Sequence, residues 1–339
     1  MNFWRTTTIS KSLSAFFLCC SLLLMALSWP GGSFSAALEL LALCGYYVIA
    51  ADLVLLLWHV LRRMRQFIVI DLLSTLFALF PVLVHFPFSF KSGDENSQPL
   101  TIVSWNVDNF LLEPQCLDDL SLKILNEGPD IICLQERPHQ HLMSKATITS
   151  RFPDHPYVVY NEREDEVLNL MVLSKYPLNT ARTFYFPGSY NKFMAVDVAV
   201  GDKSFRLYNV HLQTTSVSDN AASSLTDKLK LVIANAESRN KQADILSAEI
   251  ESYGEGNVVV CGDFNSSIFG YSCQTVAHGM NDATSHSPLS LVQSSFVKIP
   301  ILPKIDQMFY KGGVDCEDYD LIEGGWTDHK MQKGQYRIK

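Results

Sequence analysis

The sequence predicts an α/β domain carried behind a membrane region of three helices. Long apolar runs are confined to the N-terminal part, short β-branched runs alternate with helical patterns over the rest, and charge divides between the two. Of the 339 residues, 1–92 hold six Lys or Arg and three acids, a formal +3, while 93–339 hold 21 and 32, a formal −11. A chain so divided is built for two solvents.

The apolar runs cover 13–29, 36–58 and 67–86, each near the roughly 17 to 25 residues that cross a bilayer as helix. Residues 1–88 are therefore expected to form a membrane region of three transmembrane helices. For the first run the alternative is a cleaved signal peptide, since Arg5 and Lys11 make a basic n-region and Ala26-Leu27-Ser28 a passable cleavage site. Arg5 and Lys11 precede the first run, and Arg62, Arg63 and Arg65 lie between the second and third. The positive-inside rule then puts the N-terminus and that loop in the cytoplasm and everything after Phe86 outside, in the periplasm if the cell is Gram-negative. Glu39 and Asp71 fall near helix ends, within reach of water or headgroups. Asp52 lies deeper, which points to an interhelical hydrogen bond or an oligomer contact.

Residues 89–100 are polar, with Lys91, Gly93, Asp94, Glu95 and Pro99, and read as a linker. From 101 to 339 a second domain is expected. Strands are predicted at 101–105, 130–134, 157–160, 168–173, 195–200, 205–210, 257–261 and 305–310, where β-branched residues run together. Helices are predicted at 117–126 and 225–253; in the second, Leu229, Val232, Ala236, Ala243, Leu246 and Ile250 recur at three- and four-residue spacing. The Arg239/Gln242/Asp244 face reads as solvated helix surface, and 214–224 as a Thr/Ser/Asn-rich loop.

Cys19, Cys20 and Cys44 fall in the apolar runs and act there as small hydrophobes. Cys133 and Cys261 sit in core strands. Cys116, Cys273 and Cys316 lie in more polar segments, where an outer-side location permits a disulfide without specifying one. No CxxC pair, zinc-type His/Cys spacing or glycine-rich phosphate loop occurs.

Several polar residues stand at or just beyond the ends of apolar strands, where an α/β scaffold presents its chemistry. Asn106 and Asp108 follow Ile102-Val103-Ser104-Trp105, and Glu136 follows Ile131-Ile132-Cys133-Leu134. His211 follows Leu207-Tyr208-Asn209-Val210, and Asp263 and Asn265 follow Val258-Val259-Val260-Cys261. Asp306 lies in Lys304-Ile305-Asp306-Gln307, and Asp328-His329 comes near the end. Singly, each is an ordinary turn former. The other histidines, His59, His85, His139, His141, His155, His278 and His286, lack this context and are expected at surfaces or interfaces.

Together the blocks resemble, in order, the signature of the endonuclease/exonuclease/phosphatase superfamily. Trp105-Asn106-Val107-Asp108 is similar to its first metal-site motif, Leu134-Gln135-Glu136 to its metal-binding Glu and Asn209-Val210-His211-Leu212 to its histidine motif. Gly262-Asp263-Phe264-Asn265 is the most specific block; Ile305-Asp306 and Thr327-Asp328-His329 resemble the last two, with Thr327 where Ser is commoner. Lys330-Met331 departs from the usual continuation, which leaves the terminal strand and the sheet edge open.

The resemblance implies a four-layer α/β sandwich, two mixed sheets flanked by helices, and a divalent-metal-dependent phosphoester hydrolase. It implies Mg2+ or Mn2+ bound by Glu136, assisted by Asn106, with Asp108 and Asp328 as nearby carboxylates in direct or water-mediated contact. Asp263 would orient or deprotonate the attacking water and Asn265 fix phosphate or that carboxylate. His329, positioned by Asp306, would contact phosphate, and His211 would stabilise or protonate the leaving oxygen. Hard cations want such oxygen ligands, and an anionic transition state wants cationic imidazole. Substrate is left open, since related proteins cleave DNA, RNA, inositol phosphates and sphingomyelin. The acidic domain lacks the basic footprint of tight nucleic-acid binding, and a membrane anchor favours a lipid or other small phosphodiester. An extracytoplasmic nuclease is the first alternative and a noncatalytic membrane-bound binding module of the same fold the second; oligomeric state is open.

Overall fold

The computed structural model describes residues 2–27, 34–85, 98–161, 163, 167–215, 224–287, 290, 293–298 and 303–339. Helices α1 (Asn2–Ala26), α2 (Phe34–Ala37), α3 (Glu39–Leu43), α4 (Gly45–Leu61) and α5 (Arg65–His85) precede twelve strands among the described residues. The strands are β1 (Gln98–Asn106), β2 (Ile131–Arg137), β3 (Tyr157–Tyr160), β4 (Asn169–Ser174), β5 (Leu178–Tyr185) and β6 (Lys192–Val200), then β7 (Lys203–His211), β8 (Val258–Asp263), β9 (Asn281–Asp282), β10 (Asp306–Lys311), β11 (Val314–Ile322) and β12 (Met331–Ile338). Helices α6 (Pro114–Asn126), α7 (Lys145–Thr149), α8 (Leu225–Ser252) and α9 (Tyr271–Val276) complete the frame.

Two six-stranded sheets run in the orders β11-β12-β1-β2-β4-β3 and β5-β6-β7-β8-β10-β9. Both are mixed: β1 with β2 and β7 with β8 are parallel, and the other pairs antiparallel. Side chains alternate across each strand, so each sheet buries two faces. Ile102, Ile131, Cys133 and Val172 of one sheet meet Met194, Leu207, Val259, Cys261 and Met308 of the other. On the outer faces, Val103, Trp105, Ile132 and Leu134 pack on Leu117, Leu120 and Ile124 of α6. Tyr208, Val210, Val258 and Val260 pack on Ala243, Leu246 and Ile250 of α8 and on Cys273 of α9. The result is the four-layer sandwich.

All eight predicted strands are present, as are both helices. β1 starts at Gln98, inside the stretch read as linker, whose residues 89–97 lie outside the described set. The terminal strand is β12, inserted between β1 and β11 rather than lying at an edge. All eight cysteines are free.

The N-terminal region differs from expectation. Among the described residues, two helices, Thr7–Ala26 and Arg65–Leu83, have the full length and apolarity of a membrane span, and the helix in the place of the third is shorter. The middle run breaks at Leu38 and Cys44, whose ψ of 4° leaves the helical range, so that its longest piece is the 17-residue Gly45–Leu61. That helix ends as Arg63 takes φ +54° and the Met64 N–H donates to the His59 carbonyl, a left-handed cap.

The polar groups of this bundle are buried. Thr75 of α5 donates to Asp52 of α4 at 3.0 Å, the first of the two readings expected for that acid. Asp71, expected near water, is buried, accepts from Ser14 at 2.6 Å and pairs with His59 Nδ1. Glu39, also expected near water, is buried against α8. His59 and His155 are interior rather than surface residues, because each has a polar partner: Asp71 for the first, the Pro129 carbonyl for the second.

Candidate active site

Strand register builds the centre of the site. His211 at the end of β7 lies opposite Asp263 at the end of β8, and Asp263 lies opposite Asp306 at the start of β10. Three groups that are far apart in the chain thus form one row across the second sheet. The row depends on Gly262, at φ +140°: a Cβ there would run into the Val210 backbone. In the first sheet, Asn106 lies opposite Gln135, and the β2–β4 register slips between Leu134 and Arg137, where Glu136 takes φ +53°. A non-glycine residue held in that region is strained by about 1–3 kcal/mol, and here the slip turns Glu136 toward the second sheet.

Asp263 is the hub. Its Oδ1 accepts from the Asn265 backbone N–H at 2.8 Å and its Oδ2 from Asn106 Nδ2 at 3.1 Å. The same amide donates to Glu136 Oε1 at 2.9 Å. His211 Nε2 lies 3.0 Å from Glu136 Oε1 and 3.6 Å from Asp263 Oδ2. On the other side, His329 Nδ1 is 2.9 Å from Asp306 Oδ2, and its Nε2 is 3.7 Å from Asp263 Oδ2. Asn265, at φ +51°, uses its side-chain amide to donate to the Leu212 carbonyl rather than into the site. Asn106, Glu136, His211, Asp263, Asp306 and His329 therefore converge, with Asn265 fixing the loop beside them.

Asp108 and Asp328 stand at the rim. Asp108 opens a turn in which Asp108 to Leu112 all have φ between +41° and +56°. Left-handed backbone costs about 1–2 kcal/mol per residue, and burial of Phe110 under the first sheet offsets part of it. Asp328 Oδ1 is 3.8 Å from His329 Nε2, while its Oδ2 accepts from Lys298 at 2.7 Å. Thr327 donates to the Asn106 carbonyl at 2.8 Å and accepts from the His329 N–H at 3.2 Å, tying the last motif to the first. Trp105 Nε1 adds a bond to the His329 carbonyl.

The electrostatics follow from burial and this crowding. Burial alone would raise the Glu136 carboxyl, but hydrogen bonds from His211 and Asn106 with the nearby imidazoles hold it at about 2. Burial opposes charge on His329, yet Asp306 and Asp263 push its pKa up to about 10. His211 is also raised, Glu136 and Asp263 outweighing its burial. Asp263 is raised above the usual carboxylate range by burial and by Asp306, with His329 working against them. Asp108 is raised by burial, then by Asp328 and Glu136. A cationic His329 thus faces a set of acids, and His211 lies between Glu136 and Asp263.

These residues suit a divalent cation. Glu136, His211 and Asp263 offer ligand atoms within 4.8 Å of one another, as do Asp263, Asp306 and His329; Asp108 and Asp328 join neither group. Glu136 is the carboxylate kept ionised, and its oxygen chemistry fits a hard ion.

Some residues escaped sequence reasoning. Asn191 Nδ2 donates to His211 Nδ1 at 2.8 Å, which leaves the ring proton on Nε2 beside Glu136. Only the pairing of Lys192 with His211 puts Asn191 there, and no motif marks it. Gln135 and Asn209, which stand inside their motifs with no role assigned from sequence, bond to each other at 2.7 Å.

The family model described as Endonuclease/Exonuclease/phosphatase family matches residues 103–329. The chain belongs to the endonuclease/exonuclease/phosphatase family. Its members are metal-dependent phosphoester hydrolases, and the chain is an enzyme of that class. No match is found among curated proteins. Truncated Caenorhabditis elegans TDP2 is similar in structure with a TM-score of 0.55 at 16% identity, covering 70% of this chain and 97% of its own. D. rerio TDP2 complexed with single strand DNA product scores 0.54 at 17% identity, covering 70% and 99%. The endonuclease/exonuclease/phosphatase from Bacteroides vulgatus scores 0.53 at 16% identity, covering 71% and 100%. At such identities the likeness carries the fold.

Proposed function

We propose that the chain is a membrane-anchored phosphodiesterase that uses Mg2+ or Mn2+ and acts on a lipid or other small phosphodiester outside the cytoplasm. One observation carries the lipid reading. The loop that leaves Asp263 and Asn265 runs straight into the N-terminal bundle, where Ile268 and Phe269 are buried among Leu24, Leu27, Ala42, Val48, Ile49 and Ala78. A site six residues from side chains packed in apolar helices works close to the plane of a bilayer.

In this reading Asp263 Oδ2 takes a proton from the attacking water, held in place by Asn106 and the Asn265 N–H. His329, kept cationic by Asp306, stabilises charge on the phosphoryl oxygens, and His211 Nε2 faces the leaving oxygen with a proton to give. A divalent ion held by Glu136 and Asn106, with Asp108 and Asp328 near, would neutralise the nonbridging oxygens.

The second reading is an extracytoplasmic nuclease, supported by the likeness to a structure that holds a single strand DNA product. The −11 charge of residues 93–339 counts against it. Full-length protein in nanodiscs, supplied with Mg2+ or Mn2+, separates the two: sphingomyelin or a phosphatidylinositol phosphate should be hydrolysed and DNA and RNA left intact. Faster cleavage of nucleic acid would reverse the assignment.

A further inference from the structure

Among the described residues, the N-terminal helices pack on the enzyme beside the proposed general base. Glu39 on α3 is buried and lies 2.7 Å from Arg239 Nη2 of α8, itself fully buried. A buried ion pair broken on one side leaves an uncompensated charge, so each group holds the other in place. Arg239 Nη1 donates to the Gln213 carbonyl at 2.8 Å and to Thr215 Oγ1 at 2.9 Å. Thr215 in turn donates to the Asn265 carbonyl at 3.2 Å. By a shorter route, Ser266 donates to Glu39 Oε1 at 3.4 Å and Ser267 donates to the Ala42 carbonyl at 2.9 Å. The Asn265 N–H donates to Asp263, so two routes from Glu39, one through Arg239 and Thr215 and one through Ser266, converge on Asn265 and through it reach the Asp263 carboxylate.

Apolar packing closes the same joint. Phe269 packs edge-on against Tyr46 with ring centroids 4.8 Å apart, and Gly45 presents bare backbone to its ring, where a Cβ would collide. Residues 265–269 are therefore pinned by the first sheet's partner at one end and by the bundle at the other. Asn265 suits this loop, since its φ of +51° is a left-handed conformation that Asn adopts more readily than most residues.

We infer that the N-terminal helices are a positioning element of the active site as well as an anchor: the Glu39–Arg239 pair and the seating of Phe269 on Gly45 hold the 263–269 loop in its working geometry. This rests on the reading of Asp263 as the base. Glu39 and Arg239 touch no reacting atom; they act through Thr215, Ser266 and Asn265. A displacement of about 1 Å in a positioned group can cost on the order of 10²-fold in rate, so weakening the joint should lower kcat while leaving KM nearly unchanged.

The test uses the full chain in nanodiscs with a chromogenic phosphodiester and Mn2+. Glu39→Gln and Gly45→Leu should each lower kcat at least 10-fold with KM changed less than 2-fold, and combining Glu39→Arg with Arg239→Glu should recover more than either charge reversal alone. Asp263→Asn separates the two ideas: if it is inactive while Glu39→Gln and Gly45→Leu keep the parent kcat, the inference is overturned and the reading of the site stands. If Asp263→Asn is as active as the parent, the reading of the site fails. A protease site placed between residues 86 and 97 gives a readout independent of turnover. After cutting, the domain should remain with the bundle in detergent, and Gly45→Leu should release it; release of the parent domain with undiminished kcat overturns the inference even if the point variants misfold.

Discussion

Asp306 lies directly opposite Asp263 across the β8–β10 ladder, and one imidazole, His329, serves both, with Nδ1 2.9 Å from the first and Nε2 3.7 Å from the second. A ring so placed stays cationic up to about pH 10. His329→Ala should fold and lose about 10²- to 10⁴-fold in kcat, the usual cost of removing a positioned acid or base. Asp306→Asn should lose less, and the double variant little more than His329→Ala, because the two act as a unit. Steady-state kinetics check this, and a near-parental kcat for His329→Ala would sink the assignment.

Glu136 is held ionised to about pH 2 by His211 and Asn106 despite its burial. Hydrolysis should therefore stop on chelation and return with Mg2+ or Mn2+. Glu136→Gln keeps the size of the side chain but loses the charge, so the metal concentration for half-maximal rate should rise at least 10-fold. Activity that survives exhaustive chelation would remove the metal from the mechanism.

His155 gives a prediction about stability. It is buried, its Nε2 donates to the Pro129 carbonyl, and Nδ1 has no hydrogen-bond partner. A second proton would have nowhere to bond, and burial accordingly lowers the pKa of the ring. Since the folded value is depressed, the contribution to stability is complete above the unfolded value of about 6.5 and is lost as pH falls through the folded one. His155→Gln should keep the bond to Pro129 and flatten the decline of Tm between pH 7 and pH 5. Parallel curves for parent and variant would refute it.

The bundle also bears on topology. α4 runs from Gly45, against Phe269, to Leu61, about 25 Å away at 1.5 Å per residue. Arg62, Arg63 and Arg65 therefore sit at the end remote from the enzyme. With those arginines in the cytoplasm, protease added to spheroplasts should digest the domain while a tag at the N-terminus is spared. Digestion of the tag with protection of the domain would invert the orientation.

Most of the frame was legible in the sequence, because a strand buried on both faces is a continuous apolar run. Val258-Val259-Val260-Cys261 is one, and polar residues at its end mark the site. β5, β9, β11 and β12 were not legible. In β12, Gln332, Lys333, Gln335 and Arg337 dilute the pattern even though Met331, Tyr336 and Ile338 are buried. Glu39 was misjudged for a related reason: its partner, Arg239, lies 200 residues away on what read as solvated helix. An ion pair of that span leaves no local periodicity. The same holds for Asn191, which reaches His211 only through the β6–β7 ladder.

The bond between Gln135 and Asn209 has a consequence for how the enzyme accommodates substrate. Asn209, from the second sheet, also donates to the carbonyls of Leu134 and Met171 in the first, and Gln135 donates to Ser104. The residues that follow, Glu136 and His211, face each other across the same gap. This buried amide clasp bars the sheets from sliding or parting, since motion of either would strand several polar groups in the core. The jaws of the site are thus fixed at one width before substrate arrives. Ligands of different bulk must be met at the rim, and turnover proceeds without a clamshell closure of the two halves.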